Sequence, residues 1–283
     1  MKVLVLGGKG FIGRHSVQHL KDLGVETTIG TRDVNPEAQI PELRLRMHEL
    51  TKPGDWLQVV EQFDAVLNCV GILRQRFGET YESVHHLAPS ALAQACAQAE
   101  TRLVHVSALA LSPDARSRFI TSKYKGEQAI FATNGNWVVA RLSLLDGEGG
   151  YGAAWLRGVA QLPFFIVPSS ARGRIAALTA DNAGEALAKL CLWQATESAV
   201  VELGGSIGYR FDEYIRGLRK RYADDQALKI TIPGLLARFG AHICDVLHFS
   251  PFSFGHWELL CYDNLPNRPD LEAILGRSPD QVV

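Results

Sequence analysis

The chain has no cysteine pair at metal-binding spacing, no run of about 20 apolar residues and no excess of charge of either sign. Its five cysteines, Cys69, Cys96, Cys191, Cys244 and Cys261, are odd in number and scattered, which argues against a disulfide framework or a structural zinc clamp. A reducing compartment, the cytoplasm, is the expected location. Without a long apolar run no helix is expected to span a bilayer, and the opening residues lack the basic head and small-residue cleavage site of a secretory signal, so secretion is not expected. With 29 basic against 30 acidic residues there is no strong field to attract nucleic acid. Internal repeats and low-complexity tracts are also missing.

What is present is an ordinary globular composition, 47% hydrophobic over 283 residues, enough for a large core without staples. Apolar runs and helical periodicities alternate through the first two thirds. Strands are expected at residues 3–6, 25–30, 44–48, 65–70, 103–106 and 137–142. Helices are expected at 11–23, 81–99, 122–133 and 181–193. The fold class is therefore α/β, a Rossmann-type doubly wound parallel sheet, with a smaller, mostly helical C-terminal lobe. The nucleotide-binding domain is expected to comprise residues 1–150 and 173–197, and the second lobe 151–172 and 198–283.

Gly7, Gly10 and Gly13 form G-x-x-G-x-x-G after the first strand and at the mouth of the first helix. Such glycines let backbone turn tightly and approach a pyrophosphate, and the free N–H groups of the helix that Phe11 and Ile12 open face the phosphates. A nicotinamide dinucleotide is the expected ligand. The second strand runs into Thr31-Arg32-Asp33. Arg32, aided by Lys9 in the glycine loop, suits the 2′-phosphate of NADP(H), and Asp33 keeps NAD(H) as the alternative, because a carboxylate there binds ribose hydroxyls.

This order of elements resembles the extended and atypical short-chain dehydrogenase/reductases over residues 1–192. The resemblance implies that Glu49 and Leu50 lie by the adenine, that Asn68-Cys69-Val70-Gly71 line the nicotinamide-side ribose, and that Arg141-Leu142-Ser143 and Leu178-Thr179-Ala180-Asp181 are later landmarks. It also implies a catalytic Tyr four residues before a Lys. Lys123 is present, and Phe119 stands where the Tyr is expected. A Ser or Thr at the end of the fifth strand would be Ser107, or the place is Ala108. Within the family the chain is most similar to the branch of the NADPH-binding accessory subunit of respiratory complex I and its stand-alone bacterial relatives, on Asn68-Cys69-Val70-Gly71, Val84-His85-His86, residues 122–127, 257–260 and Asp263-Asn264. That branch implies a structural, sensing or assembly role. The alternative is an NADP-dependent reductase or nucleotide-sugar-type epimerase or dehydratase using Tyr81, His86 or Tyr124 as acid.

Other groups read more plainly. His15 and His19 suit a solvated helix face, His86 a turn cap or substrate contact, and Cys69 the core. Residues 232–260 gather Leu235, Leu236, Phe239, Ile243, Val246, Leu247, Phe249, Phe252 and Phe254. They read as a buried helix or subunit interface, with a lipid-facing, membrane-peripheral surface as the alternative; Arg238 alone gives little of the basic face such a surface uses.

Overall fold

The computed structural model describes residues 1–193, 198–223, 227–247 and 252–283. In chain order the elements are β1 (Lys2–Leu6), α1 (Phe11–Asp22), β2 (Glu26–Thr31), β3 (Glu42–Arg44), α2 (Pro53–Val60), β4 (Ala65–Asn68), α3 (Ala88–Gln98), β5 (Arg102–Ala108), α4 (Arg118–Phe131) and β6 (Trp137–Leu142). They continue as β7 (Leu145–Asp146), α5 (Tyr151–Gln161), β8 (Phe164–Pro168), β9 (Arg174–Ile175), β10 (Leu178–Thr179), α6 (Ala180–Leu192), β11 (Ala199–Leu203) and β12 (Tyr209–Arg210). Last come α7 (Phe211–Tyr222), β13 (Leu228–Ile232), α8 (Gly234–Leu247), α9 (Phe254–Leu260) and α10 (Asp270–Leu275).

Seven strands form one parallel sheet in the order β11-β6-β5-β4-β1-β2-β3. β1 shows why both faces are covered: Val3 and Val5 enter the core beneath α1 and α6, and Leu4 and Leu6 enter the core with Trp56 and Leu92 of α2 and α3. The side-chain period of two sends neighbours to opposite faces, so a strand covered twice must be apolar throughout. Strand order reverses between β1 and β4, and at this switch point a doubly wound sheet opens a crevice at its carboxyl edge. The glycine loop sits there.

Two expectations are corrected. The third strand ends at Arg44, and Met47–Glu49 form a 3-10 turn, because Met47 drops into the core (5% exposed) and pulls the chain off the sheet edge. Residues 199–203, assigned from sequence to the C-terminal lobe, pair with β6 as the seventh strand. Leu271 and Leu275 of α10 pack into the same core as that strand's Val201 and Leu203.

A separate core joins Leu156 and Ala160 of α5, Phe165 and Val167 of β8, and Tyr214, Ile215 and Leu218 of α7. β8 pairs with β13, and β9 with β12. α8 follows β13 and packs on α9. Its Ala237 and Ala241 face inward, and Leu235, Leu236, Phe239, Ile243, Val246 and Leu247 face out. The expectation of a buried helix at this place is overturned, since the large side chains, Leu235 at 80% exposure among them, occupy the solvent side. Phe249 lies outside the described residues. Among the described residues no helix is long and apolar enough to cross a membrane.

Candidate dinucleotide site

Gly7 has φ of 74°, a left-handed conformation that glycine adopts without steric cost. The turn is fixed by Gly7 N–H donating to the Gly30 carbonyl at 2.9 Å and Gly10 N–H to the Gly7 carbonyl at 2.8 Å. A Cβ on Gly13 would lie 2.3 Å from the Gly7 oxygen, so only glycine lets α1 start this close to the loop. Gly10 caps the helix in extended backbone with no side-chain bond, leaving the first-turn N–H groups free for an anion.

The loop forms one wall of a cavity of about 310 Å³. Of the residues singled out in the sequence, Gly7, Lys9, Gly10, Arg32, Cys69, Val70 and Gly71 line it. Glu49 and Leu50 do not: Glu49 points to Arg46 (3.4 Å) and His48 (3.5 Å), and Leu50 packs near Trp56, whose indole N–H donates to its carbonyl at 2.9 Å. The 3-10 turn puts Met47 and His48 in their place. Phe11 packs against the Gly147-Gly150 loop, Ile12 belongs to the core, and Asn68 works from behind, its Oδ1 accepting from Val70 N–H at 3.0 Å and its amide meeting His105 Nδ1 at 3.0 Å.

Both expected phosphate ligands carry carboxylate partners. Arg32 Nη1 meets Glu79 Oε1 at 2.6 Å, and Lys9 Nζ meets Glu42 Oε2 at 2.8 Å and donates to the Asp33 carbonyl at 3.0 Å. The hydrogen bond from Lys9 and that from Asn35 N–H hold the Glu42 carboxyl below its ordinary pKa. Glu79 lines the cavity; Glu42 supports it from beside Lys9. Neither was legible as a site residue.

At the Gly71 side of the cavity, the glycine faces Lys123 Nζ and His85 Nε2: a Cβ there would sit 3.8 and 3.7 Å from them. Burial lowers the Lys123 ammonium to a pKa of about 8. The Phe119 ring is nearly buried, 5.8 Å from Lys123 Nζ, stacked on His256 at 5.8 Å, and met edge-on by Tyr81 and His85 at 5.8 and 5.5 Å.

His85 is delivered by a π-helical turn, Glu82–Leu87, ahead of α3. That wide turn points His85 inward and leaves His86 outside, hydrogen-bonded to Glu82 at 2.7 Å on the surface. Gly126 of α4 lets the turn approach, since a Cβ there would lie 2.0 Å from the His85 carbonyl. Ile72 N–H donates to His85 Nε2 at 3.0 Å, so the proton sits on Nδ1, which meets Ser122 Oγ at 3.0 Å; Ser122 donates onward to the Phe119 carbonyl. Burial and the Lys123 charge push its pKa well below the usual value, so it is neutral.

Tyr81 donates its hydroxyl to the Leu73 carbonyl at 2.8 Å, and burial raises its pKa. Ser107 Oγ is buried and has no hydrogen-bond partner among the described residues. A buried hydroxyl left unpaired at a strand's carboxyl edge fits an absent ligand. Burial raises the Cys69 thiol above its ordinary pKa, which favours the protonated form. His15 and His19 both face Asp181, at 3.7 and 3.0 Å, and no group of three metal-ligating side chains exists among the described residues.

With this arrangement in view, residues 3–143 match the model of the NAD dependent epimerase/dehydratase family. That stretch belongs to the family. Among curated proteins, the chain is 25% identical over 239 residues to a ceramide reductase of Caulobacter vibrioides, covering 83% of this chain and 75% of that protein. It is 22% identical over 243 residues to the mitochondrial NADH dehydrogenase [ubiquinone] 1 alpha subcomplex subunit 9 of Dictyostelium discoideum, covering 83% and 68%. The family implied by the glycine loop and the complex I branch implied by the softer motifs are thus both met. In fold it is similar to a Tyr-to-Phe variant of UDP-glucuronic acid 4-epimerase from Bacillus cereus, solved with a fluorinated UDP-sugar and NAD, at a TM-score of 0.71, 14% identity and 99% and 95% coverage.

Proposed function

We propose that this protein binds NADP(H) in a short-chain dehydrogenase/reductase site whose proton-donating position is filled by Phe119, and that the bound dinucleotide serves a structural or sensing role. The reading rests on the ring cluster at Phe119. A benzyl side chain transfers no proton, and the acids around it are committed: His85 holds Ile72 and Ser122, and Tyr81 holds Leu73. When bound, the nicotinamide supplies hydride chemistry. The chain's own residues supply the glycine turn and α1 N–H groups for the pyrophosphate, Lys9 and Arg32 for a 2′-phosphate, and Lys123 and Ser107 at the nicotinamide end. NAD(H) is the alternative ligand.

A second reading, an NADP-dependent reductase, is favoured by two observations. One is the named activity of the Caulobacter relative. The other is that α9 covers the Phe119 side of the cleft and α8 holds it there: His256 of α9 stacks on Phe119, His242 of α8 stacks on Phe254 of α9 at 4.3 Å, and Asp245 of α8 pairs with Arg74. All five cysteines are free thiols, in keeping with a cytoplasmic setting.

The test is to denature purified protein, identify any released dinucleotide by mass, and follow NADPH oxidation over a panel of soluble and long-chain carbonyl compounds for wild type and Phe119→Tyr. No turnover by wild type, with a gain on restoring the phenol of the order of 100-fold or more above background, supports the first reading. Wild-type turnover that Tyr81→Phe abolishes establishes the second instead.

A further inference from the structure

Glu79 stands 47 residues from Arg32 in sequence yet holds its guanidinium at 2.6 Å inside the dinucleotide cavity. The loop that carries it is built. Ile72 N–H is held by His85, the Leu73 carbonyl by the Tyr81 hydroxyl, and the Gln75 amide oxygen by Tyr81 N–H at 2.9 Å. Arg76 and Glu79 then exchange two backbone hydrogen bonds of 3.0 Å, closed by Gly78 at φ of 81°. The Glu79 side chain is 11% exposed, and His48 Nδ1 stands 3.7 Å from the same oxygen, Oε1, that holds Arg32. Two cations, Arg32 and Lys9, are therefore each paired with a carboxylate, Glu79 and Glu42, before any ligand arrives.

We propose that Glu79 is the specificity-determining residue of the adenosine end, occupying Arg32 where a 2′-phosphate would bind and so narrowing the preference for NADP(H) over NAD(H). The proposal rests on the dinucleotide reading above. A 2′-phosphate carries close to two negative charges and takes its full charge-assisted hydrogen bonds only when Arg32 leaves Glu79, which strands a carboxylate in a mostly enclosed position. A ribose 2′-hydroxyl asks for no such exchange. NADP(H) binding therefore carries a cost that NAD(H) binding does not.

The experiment is fluorescence titration of NADPH and NADH into nucleotide-free wild type, Glu79→Gln and Arg32→Gln, with thermal melting as a check on folding. The amide keeps the size of the side chain and removes its charge. Glu79→Gln is expected to tighten NADPH binding about tenfold, the size of one charge-assisted hydrogen bond freed, and to leave NADH the same or weaker. Arg32→Gln is expected to weaken NADPH selectively. Equal changes for both dinucleotides, or weaker NADPH binding in Glu79→Gln, overturns the role given to Glu79 while leaving the site in place. Failure of every folded protein to bind either dinucleotide overturns the cofactor reading, and the role of Glu79 with it.

Discussion

Replacing Lys123 by Met should make the protein more stable and a poorer dinucleotide binder. The ammonium is buried beside Phe119 and Gly71, and that burial lowers its pKa from the ordinary 10.5 to about 8, with Glu127 one turn on opposing only part of the effect. The difference of about 2.5, at about 1.4 kcal/mol for each unit of pH, means that holding the charge inside costs the fold about 3 kcal/mol at neutral pH. The folded form releases its proton above pH 8 and the unfolded chain keeps it to about 10.5. The cost is therefore complete below pH 8 and fades as pH rises toward 10.5. Met keeps the stem that packs by Phe119 and drops the charge. The assay is urea unfolding of wild type and variant from pH 7 to 10.5, compared as a difference so that the buried thiols and tyrosines cancel. The variant should lead by about 3 kcal/mol at pH 7, a rise in melting temperature of several degrees for a chain of this size, and lose that lead by pH 10.5. A variant no more stable than wild type at pH 7, or a lead independent of pH, refutes the reasoning.

Gly13→Ala drives a Cβ to 2.3 Å from the Gly7 carbonyl and 2.8 Å from Gly8 Cα, so the loop must shift by about an ångström; a destabilisation of about 1–3 kcal/mol is expected, with NADPH affinity down tenfold or more by fluorescence titration. Unchanged affinity would remove the loop from the site. His105 and His256 are held neutral, at about 3 and about 4, first by burial and then by the Lys123 and Arg74 charges. Because the unfolded chain protonates them near 6.5, stability should fall as pH drops below that value, by about 2 kcal/mol per histidine at pH 5, read from urea midpoints; a flat profile between pH 7 and 5 counts against it.

Sequence reading succeeded where the signal is local. β6 was placed to the residue, and α1 and α6 within one, because apolar periodicity and flanking glycine or threonine mark them: Gly24 ends α1 at φ of 70°, and the Thr179 hydroxyl accepts from Asn182 N–H to cap α6. It failed where a partner lies far away or a turn changes phase. Nothing near Arg32 or Lys9 announces Glu79 or Glu42 as counter-ions. The two adjacent histidines could be told apart only by the π-helical turn, which sends His85 in and His86 out. Glu49 was misplaced because one buried methionine three residues after β3 bends the chain early. The solvent-facing leucines of α8 defeat the usual rule from the other side, since only three-dimensional packing shows that Ala237 and Ala241 are its inner face.

The pairing of β11 with β6 bears on how the chain is made. Leaving the ribosome from the N-terminus, the nucleotide-binding sheet has six strands by residue 142 and must wait for residues 199–203 to close it and for 270–275 to cover that closure. Meanwhile β6 is a bare edge carrying Val138, Val139 and Ala140, the kind of edge on which another chain can pair. A chain stopped at the glycine-rich loop near residue 150 would keep every residue of the dinucleotide cradle and still be prone to aggregation. The C-terminal third thus acts in assembly as the clasp of the cofactor half, whatever it contacts afterwards.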